Sequence, residues 1–324
     1  MDKNFWKNKQ VFITGHEGFL GSWLTKILIE AGARVIGLDI VKNRKQIVLN
    51  QKGLRKRIKG IKGNVANMKL VKNIIDQEKP EIIFHLAAEA IVGRSNKNPI
   101  TTFKSNIEGT WNILEASRGK SFINSIVIAS SDKAYGSHDK LPYSEESELK
   151  GDHPYDVSKS CADLIAYTYF HTYNLPVCVT RCGNIYGPGD YNFSRIIPDA
   201  MRCVNNDKTL IIRSDGKFVR DYVYVEDIVE GYILLAEKIK SLNLAGSAFN
   251  FSDENPITVL EILNKLFEIA SKKANYKILN KAKYEIKKQY LDSKKARKVL
   301  GWKPRYSLQQ GIKKTLLWYK SNLV

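Results

Sequence analysis

Residues 10–39 read QVFITGHEGFLGSWLTKILIEAGARVIGLD, and this stretch decides the fold. Gln10–Thr14 is a short apolar run, 20–31 carries helical periodicity, and 34–38 is a second apolar run closed by Asp39. Gly15, Gly18 and Gly21 stand between the first run and the helix. A strand, a glycine turn and a helix in this order make a cradle for a pyrophosphate. Glycine permits unusual turn dihedrals and lets the backbone approach a ligand. The helix start adds free amides and the positive end of its dipole. A carboxylate at the end of the second strand hydrogen-bonds the ribose 2′-hydroxyl of NAD and repels a 2′-phosphate. Asp39 makes NAD the expected cofactor. Lys42, Arg44 and Lys45 follow closely and keep NADP open as a second reading.

The same alternation continues outward. A helical stretch at 70–77 precedes the strand-like 81–85 (EIIFH), and a helix at 106–117 precedes Ser125–Ala129 (SIVIA). A helix at 156–173 then precedes 177–181 (VCVTR). Continuous apolar strands alternating with helices predict an α/β fold: a doubly wound parallel sheet of the Rossmann type, covered on both faces. Beyond residue 180 the rhythm changes. Residues 184–190 (NIYGPGD) read as a loop, followed by short pieces at Leu210–Ile212, 220–225 and 249–251. Amphipathic helices are expected at 260–270 and 309–322. We read 1–180 as an NAD-binding domain with return segments near 222–252, and 181–324 as mainly a smaller α/β substrate-binding cap.

With 324 residues the chain is about twice a typical domain. No run reaches the roughly 18 apolar residues of a membrane span. The polar residues 1–10 lack a secretory signal, so a cytoplasmic protein without a membrane partner is expected. Cys161, Cys178, Cys182 and Cys203 form no CxxC pair and have no histidine cluster beside them. They read as reduced core residues, with no metal site. The net charge of +19 raises the question of nucleic acid. The excess is mostly lysine, spread through stretches such as 51–62 and 272–288, with no aromatic-interleaved stripe. A solvated lysine-rich surface is expected, and no nucleic-acid partner.

The catalytic signal is Tyr155-Asp156-Val157-Ser158-Lys159. A spacing of four places Tyr155 and Lys159 on one helix face. A phenol with a pKa near 10 is a poor base at neutral pH, and a neighbouring cation favours its ionised form. Tyr155 can then exchange a proton with a substrate hydroxyl while hydride moves at the same carbon. The strand at Ser125–Ala129 runs into Ser130-Ser131-Asp132-Lys133 at the carboxyl edge, where open parallel sheets bind ligands. Ser131 is placed to hydrogen-bond the reacting oxygen, with Asp132 and Lys133 beside the substrate.

With these residues in hand, the chain resembles the extended short-chain dehydrogenase/reductase family over nearly its whole length. The resemblance rests on the glycine turn, His85-Leu86-Ala87-Ala88-Glu89, SNIEGT around Asn106, SSDKAYG, YDVSK, RCGNIYGPGD, RDYVYVED from Arg220, and Leu300-Gly301-Trp302. Within it the chain is similar to sugar-nucleotide 4,6-dehydratases, above all the CDP-glucose group. That group shares the Ser/Asp/Lys version of the catalytic strand end, Phe5-Trp6, GHEGFLGSWL and GDYNFSRIIPD. RDYVYVED follows the wider family, which keeps a GDP-linked hexose or N-acetylhexosamine in play.

The resemblance implies a cofactor site of Gly15, Gly18, Phe19, Leu20, Gly21, Asp39, Asn64, Val65, Leu86, Ala87, Ala88, Asn106, Tyr155 and Lys159. Asn64 stands where the family commonly has Asp. The resemblance also implies substrate contacts from Glu89, Arg94, Asn184, Arg195 and Arg220, and a homodimer through the Tyr155-bearing helix. The implied reaction is oxidation at carbon 4, loss of water across carbons 5 and 6 with Asp132 as acid, and hydride return to carbon 6. Lys133 is the candidate base at carbon 5, with Glu89 as the other carboxylate within view. A 4-epimerase or 4-dehydrogenase of the same fold is the first rival, and a non-catalytic dinucleotide- or nucleic-acid-binding protein the remote one.

Overall fold

The computed structural model describes residues 1–44, 48–50, 53–282 and 285–322. Lys45 and parts of the two lysine-rich stretches (Gln51, Lys52, Lys283) lie outside the described residues.

A short helix α1 (Lys3–Trp6) leads into β1 (Gln10–Thr14), α2 (Phe19–Glu30), β2 (Arg34–Asp39), β3 (Ile58–Lys62), α3 (Met68–Glu78) and β4 (Ile82–His85). Helices α4 (Val92–Lys97), α5 (Pro99–Phe103) and α6 (Gly109–Ser117) follow, then β5 (Ser125–Ala129), α7 (Pro154–Tyr173) and β6 (Val177–Cys182). The second half carries β7 (Asn184–Tyr186), α8 (Ile196–Asn205), β8 (Leu210–Ile212), β9 (Val219–Arg220), β10 (Tyr222–Tyr224), α9 (Val225–Lys238) and β11 (Ala248–Phe251). It ends with β12 (Ile257–Thr258), α10 (Val259–Ile269), β13 (Tyr276–Ile278), β14 (Lys288–Gln289) and α11 (Leu308–Asn322).

Seven strands form one parallel sheet in the order β11-β6-β5-β4-β1-β2-β3. Central strands are buried end to end, as in Phe84 and Ile126–Ile128, because helices cover both faces. The strand order reverses between β1 and β4, so a crevice opens at their carboxyl ends. One face packs α2 and α9 with Trp6, Phe251 and Trp302; the other packs Ile74, Ile113 and Ala166 of α3, α6 and α7. A separate core joins α8, α10 and α11 through Met201, Leu263 and Ile312.

Several elements differ from the sequence reading. β3 was legible only as lysine-rich surface: it is a half-buried edge strand whose Lys59 and Lys62 are exposed. The helix expected from 106 begins at Gly109, after a π-type turn over Lys104–Glu108. The stretch 220–225 divides between β9, which pairs β12 and β14, and β10, which pairs β7. Residues 296–302 return to the main core through Ala296, Leu300 and Trp302. No helix among the described residues is long and apolar enough to cross a membrane.

Candidate active site

The crevice is a cleft of about 1040 Å³ that runs from the glycine turn across the ends of β4 and β5 to β8 and β9. Single ligand pockets reach roughly 300–1,000 Å³, so this cleft has room for a dinucleotide and a second ligand.

The glycine turn fits a dinucleotide. Gly15 has φ +75°, and a Cβ there would lie 2.8 Å from Ala87 N. A Cβ on Gly21 would lie 2.1 Å from Gly15 O, so α2 packs against the turn only without one. No side chain caps the α2 start at Gly18, which leaves its amides open to a ligand. Phe19, Leu20, Val65, Leu86, Ala87 and Ala88 line the cleft beside the turn. Asp39 lines it at the end of β2, accepting Glu17 N and Val41 N at 3.0 Å each. Asn64 is exposed and accepts Ala66 N at 2.9 Å.

Asn106 is the one expected cofactor residue that does not line the cleft. It is buried behind the wall, where its side chain accepts Glu89 N at 2.7 Å and donates to Ser158 Oγ at 2.9 Å. Carried on the π-type turn, it ties α7 to the segment after β4 at Glu89.

The catalytic candidates come together at the carboxyl end of β5. Proline at the helix start and Asp156 in the first turn favour α7 beginning at Pro154. Tyr155 and Lys159 lie on its buried face. Lys159 Nζ is 6.0 Å from the Tyr155 ring centre and donates to Ala129 O at 2.7 Å. Burial lowers the Lys159 pKa to about 8, against the pull of Asp163 one turn on. Burial pushes the Tyr155 phenol up to about 12, opposed by its hydrogen bond to Ser131 and by Arg195.

Ser131 Oγ donates to Asp132 Oδ1 at 2.9 Å, while Asp132 Oδ2 is buried without a partner among the described residues. Lys133 Nζ donates to Gln289 Oε1 at 3.1 Å. Glu89 is occupied locally, accepting Ile91 N at 3.0 Å with Arg94 at 3.8 Å.

At the far end, Arg220 is buried and donates to Val219 O at 2.8 Å. It has no carboxylate partner among the described residues. Arg195 pairs with the buried Asp190 at 3.0 Å, and Asn184 lines the wall between. Sequence reasoning missed three residues here. Arg213 follows β8, lines the cleft, and its side chain is unpaired among the described residues. Asp156 also lines the cleft; burial pushes its carboxyl up to about 6, with Lys133 opposing. Gln289 is fully buried behind Lys133. The position of Asp156 inside YDVSK was its available signal; Arg213 and Gln289 had none.

No group of metal-ligating side chains occurs among the described residues.

Sheet order, glycine turn and the Tyr155/Lys159 pair are those of the extended short-chain dehydrogenase/reductase class. The profile of the GDP-mannose 4,6 dehydratase family matches residues 12–315, and the chain belongs to that family. It is 32% identical to the CDP-glucose 4,6-dehydratase of Salmonella typhimurium, over 99% of this chain and 93% of that protein. It is 31% identical to the UDP-glucuronate 4-epimerase of Thermodesulfobacterium geofontis, over 96% of each. Among solved structures, it is similar to the dTDP-glucose 4,6-dehydratase of Bacillus anthracis in complex with NAD (TM-score 0.86, 27% identity, 97% of each chain). NAD is the cofactor of this family, and the glycine turn with Asp39 fits it.

Proposed function

We propose that the chain is an NAD-dependent sugar-nucleotide 4,6-dehydratase that converts an NDP-hexose to the NDP-4-keto-6-deoxy sugar. The substrates we favour are CDP-glucose or a GDP-linked hexose or N-acetylhexosamine. One observation carries the reading: Asp132, with an unpartnered buried oxygen, and Lys133 line the same cleft as Tyr155 and Lys159. An epimerase uses the Tyr/Lys pair and has no need of a second acid near carbon 6.

Bound NAD supplies a hydride acceptor at carbon 4 that later returns the hydride at carbon 6. The protein's own groups do the rest. Tyr155 takes the proton of the 4-hydroxyl, with Lys159 as the cation that favours its ionised form. Ser131 donates to Asp132 and lies beside Tyr155, where it favours the ionised phenol. The 4-ketone acidifies carbon 5, and Lys133 as base accepts that proton. The electron pair left on carbon 5 expels the 6-oxygen, and Asp132 gives its proton to that oxygen so that it departs as water. Arg220 and Arg213 are assigned to the nucleotide diphosphate, since a guanidinium matches its geometry.

We also infer a homodimer through α7 and a cytoplasmic setting. Leu164 and Tyr167 on α7 are 57% and 54% exposed, and Trp111 on the adjoining α6 is 42% exposed. All four cysteines are free.

The test is incubation of the purified protein with a panel of CDP-, GDP-, UDP- and dTDP-sugars, read by product mass. Loss of water from one of them supports the reading. An isomeric product of unchanged mass makes the chain a 4-epimerase, the reading favoured by its likeness to the Thermodesulfobacterium enzyme.

A further inference from the structure

Glu17 stands inside the glycine turn, between Gly15 and Gly18, and its side chain is buried under the loop that follows β2, next to cleft-lining Asp39 and Arg44. It is 2% exposed and holds four donors. Oε1 accepts Asn43 N at 3.0 Å and Arg55 Nη1 at 2.7 Å. Oε2 accepts Arg44 N and Arg55 Nη2, both at 3.1 Å. Arg55 Nη2 also donates to Arg44 O at 2.7 Å, which closes the loop 41–44 over the pair. Two converging amides and a bidentate guanidinium form a typical anion-binding arrangement. The Glu17 backbone amide donates to Asp39 Oδ2, so this arrangement adjoins the carboxylate that meets the adenosine ribose.

We infer that Glu17 is a cofactor-specificity residue: its carboxylate fills, from within the chain, the anion site that a dinucleotide 2′-phosphate would otherwise take. The inference rests on the reading of the cleft as a dinucleotide site. Arg44 spends its backbone amide on Glu17, Arg55 spends both terminal nitrogens there, and a second carboxylate stands buried behind Asp39. The remaining titratable neighbour is His16, whose Nε2 lies 3.8 Å from Glu17 Oε1. Burial lowers the His16 pKa, so it stays neutral and does not offset the two acids. Burial also pushes the Glu17 carboxyl up, but Arg55 and the Arg44 and Asn43 amides outweigh it, leaving it ionised below the usual range.

The experiment measures dissociation constants for NAD and NADP in the wild type, Asp39→Ser, Glu17→Ser and the double variant, with thermal unfolding as the check on folding. The wild type should prefer NAD. Asp39→Ser alone should lose NAD affinity with little gain for NADP, because the donors remain committed to Glu17. The double variant should bind NADP at least about tenfold more tightly than Asp39→Ser, as released charged hydrogen bonds require. Should Glu17→Ser fail to fold, Glu17→Gln keeps an acceptor for the amides and drops the charge. Equal NADP affinity in Asp39→Ser and the double variant overturns the inference. A wild type that binds neither dinucleotide overturns the underlying reading instead.

Discussion

Lys133 Nζ donates to Gln289 Oε1 across 3.1 Å, joining the catalytic strand end of the first half of the chain to β14 in the second. Gln289 is fully buried and stands in register with Arg220 of β9. One short ribbon therefore sets both the residue assigned to carbon 5 and the residue assigned to the diphosphate. Gln289→Leu should keep the β9–β14 pairing, which uses backbone groups, and leave Lys133 unanchored. We expect turnover to fall by about tenfold or more, as for other misplaced catalytic groups, with NAD affinity unchanged. Steady-state kinetics beside dinucleotide titration decides it: unchanged turnover removes Gln289 from the account.

Asp132→Asn separates the two halves of the reaction. Oxidation at carbon 4 by Tyr155 should persist, while loss of water slows by roughly 10²–10⁴, the usual contribution of a positioned acid. Reduced cofactor should then accumulate, visible in a single-turnover absorbance trace. Tyr155→Phe should show no such signal. Normal dehydration in Asp132→Asn contradicts its assignment.

These assignments were legible to very different degrees. The central strands announced themselves because burial on both faces demands continuous apolar runs such as SIVIA. β3 did not, since an edge strand can carry exposed lysines, here Lys59 and Lys62, with no continuous apolar run. The glycines of the turn could be read one by one from backbone requirements. Glu17 between them could not, because its partner Arg55 comes from a distant stretch that sequence presents only as basic. Asn106 was assigned to the cofactor, yet the π-type turn directs it behind the wall, and nothing in SNIEGT marks that local change of hydrogen-bond register.

Lys159 gives a pH signature in stability. Its folded pKa is about 8, below the unfolded value near 10.4. Below pH 8 the lysine is charged in both states, and the cost of burying that charge is fully present. From about pH 8 to 10.4 the folded protein binds fewer protons than the unfolded one, so this cost is relieved as pH rises. Lys159→Met should therefore raise the melting temperature at pH 7, and the gain should shrink toward pH 10. A gain independent of pH would refute the buried-charge explanation.

The exposed apolar residues of α7 carry the dimer proposal. Leu164→Lys with Tyr167→Lys should shift the molecular mass in solution, measured by light scattering, from two chains to one. Both side chains are more than half exposed within the single chain, so the fold should survive. A wild type that is already monomeric rejects the interface.

The central claim is that Tyr155 and Lys159 create a passing ketone so that Asp132 and Lys133 can expel water. The most direct measurement is the NMR spectrum of product formed in deuterated water from the accepted sugar nucleotide. The account predicts a 4-keto-6-deoxy sugar with solvent deuterium at carbon 5 and the original carbon-4 hydrogen moved to carbon 6. A product that keeps its carbon-5 hydrogen and its 6-hydroxyl, changed only in configuration at carbon 4, would contradict it.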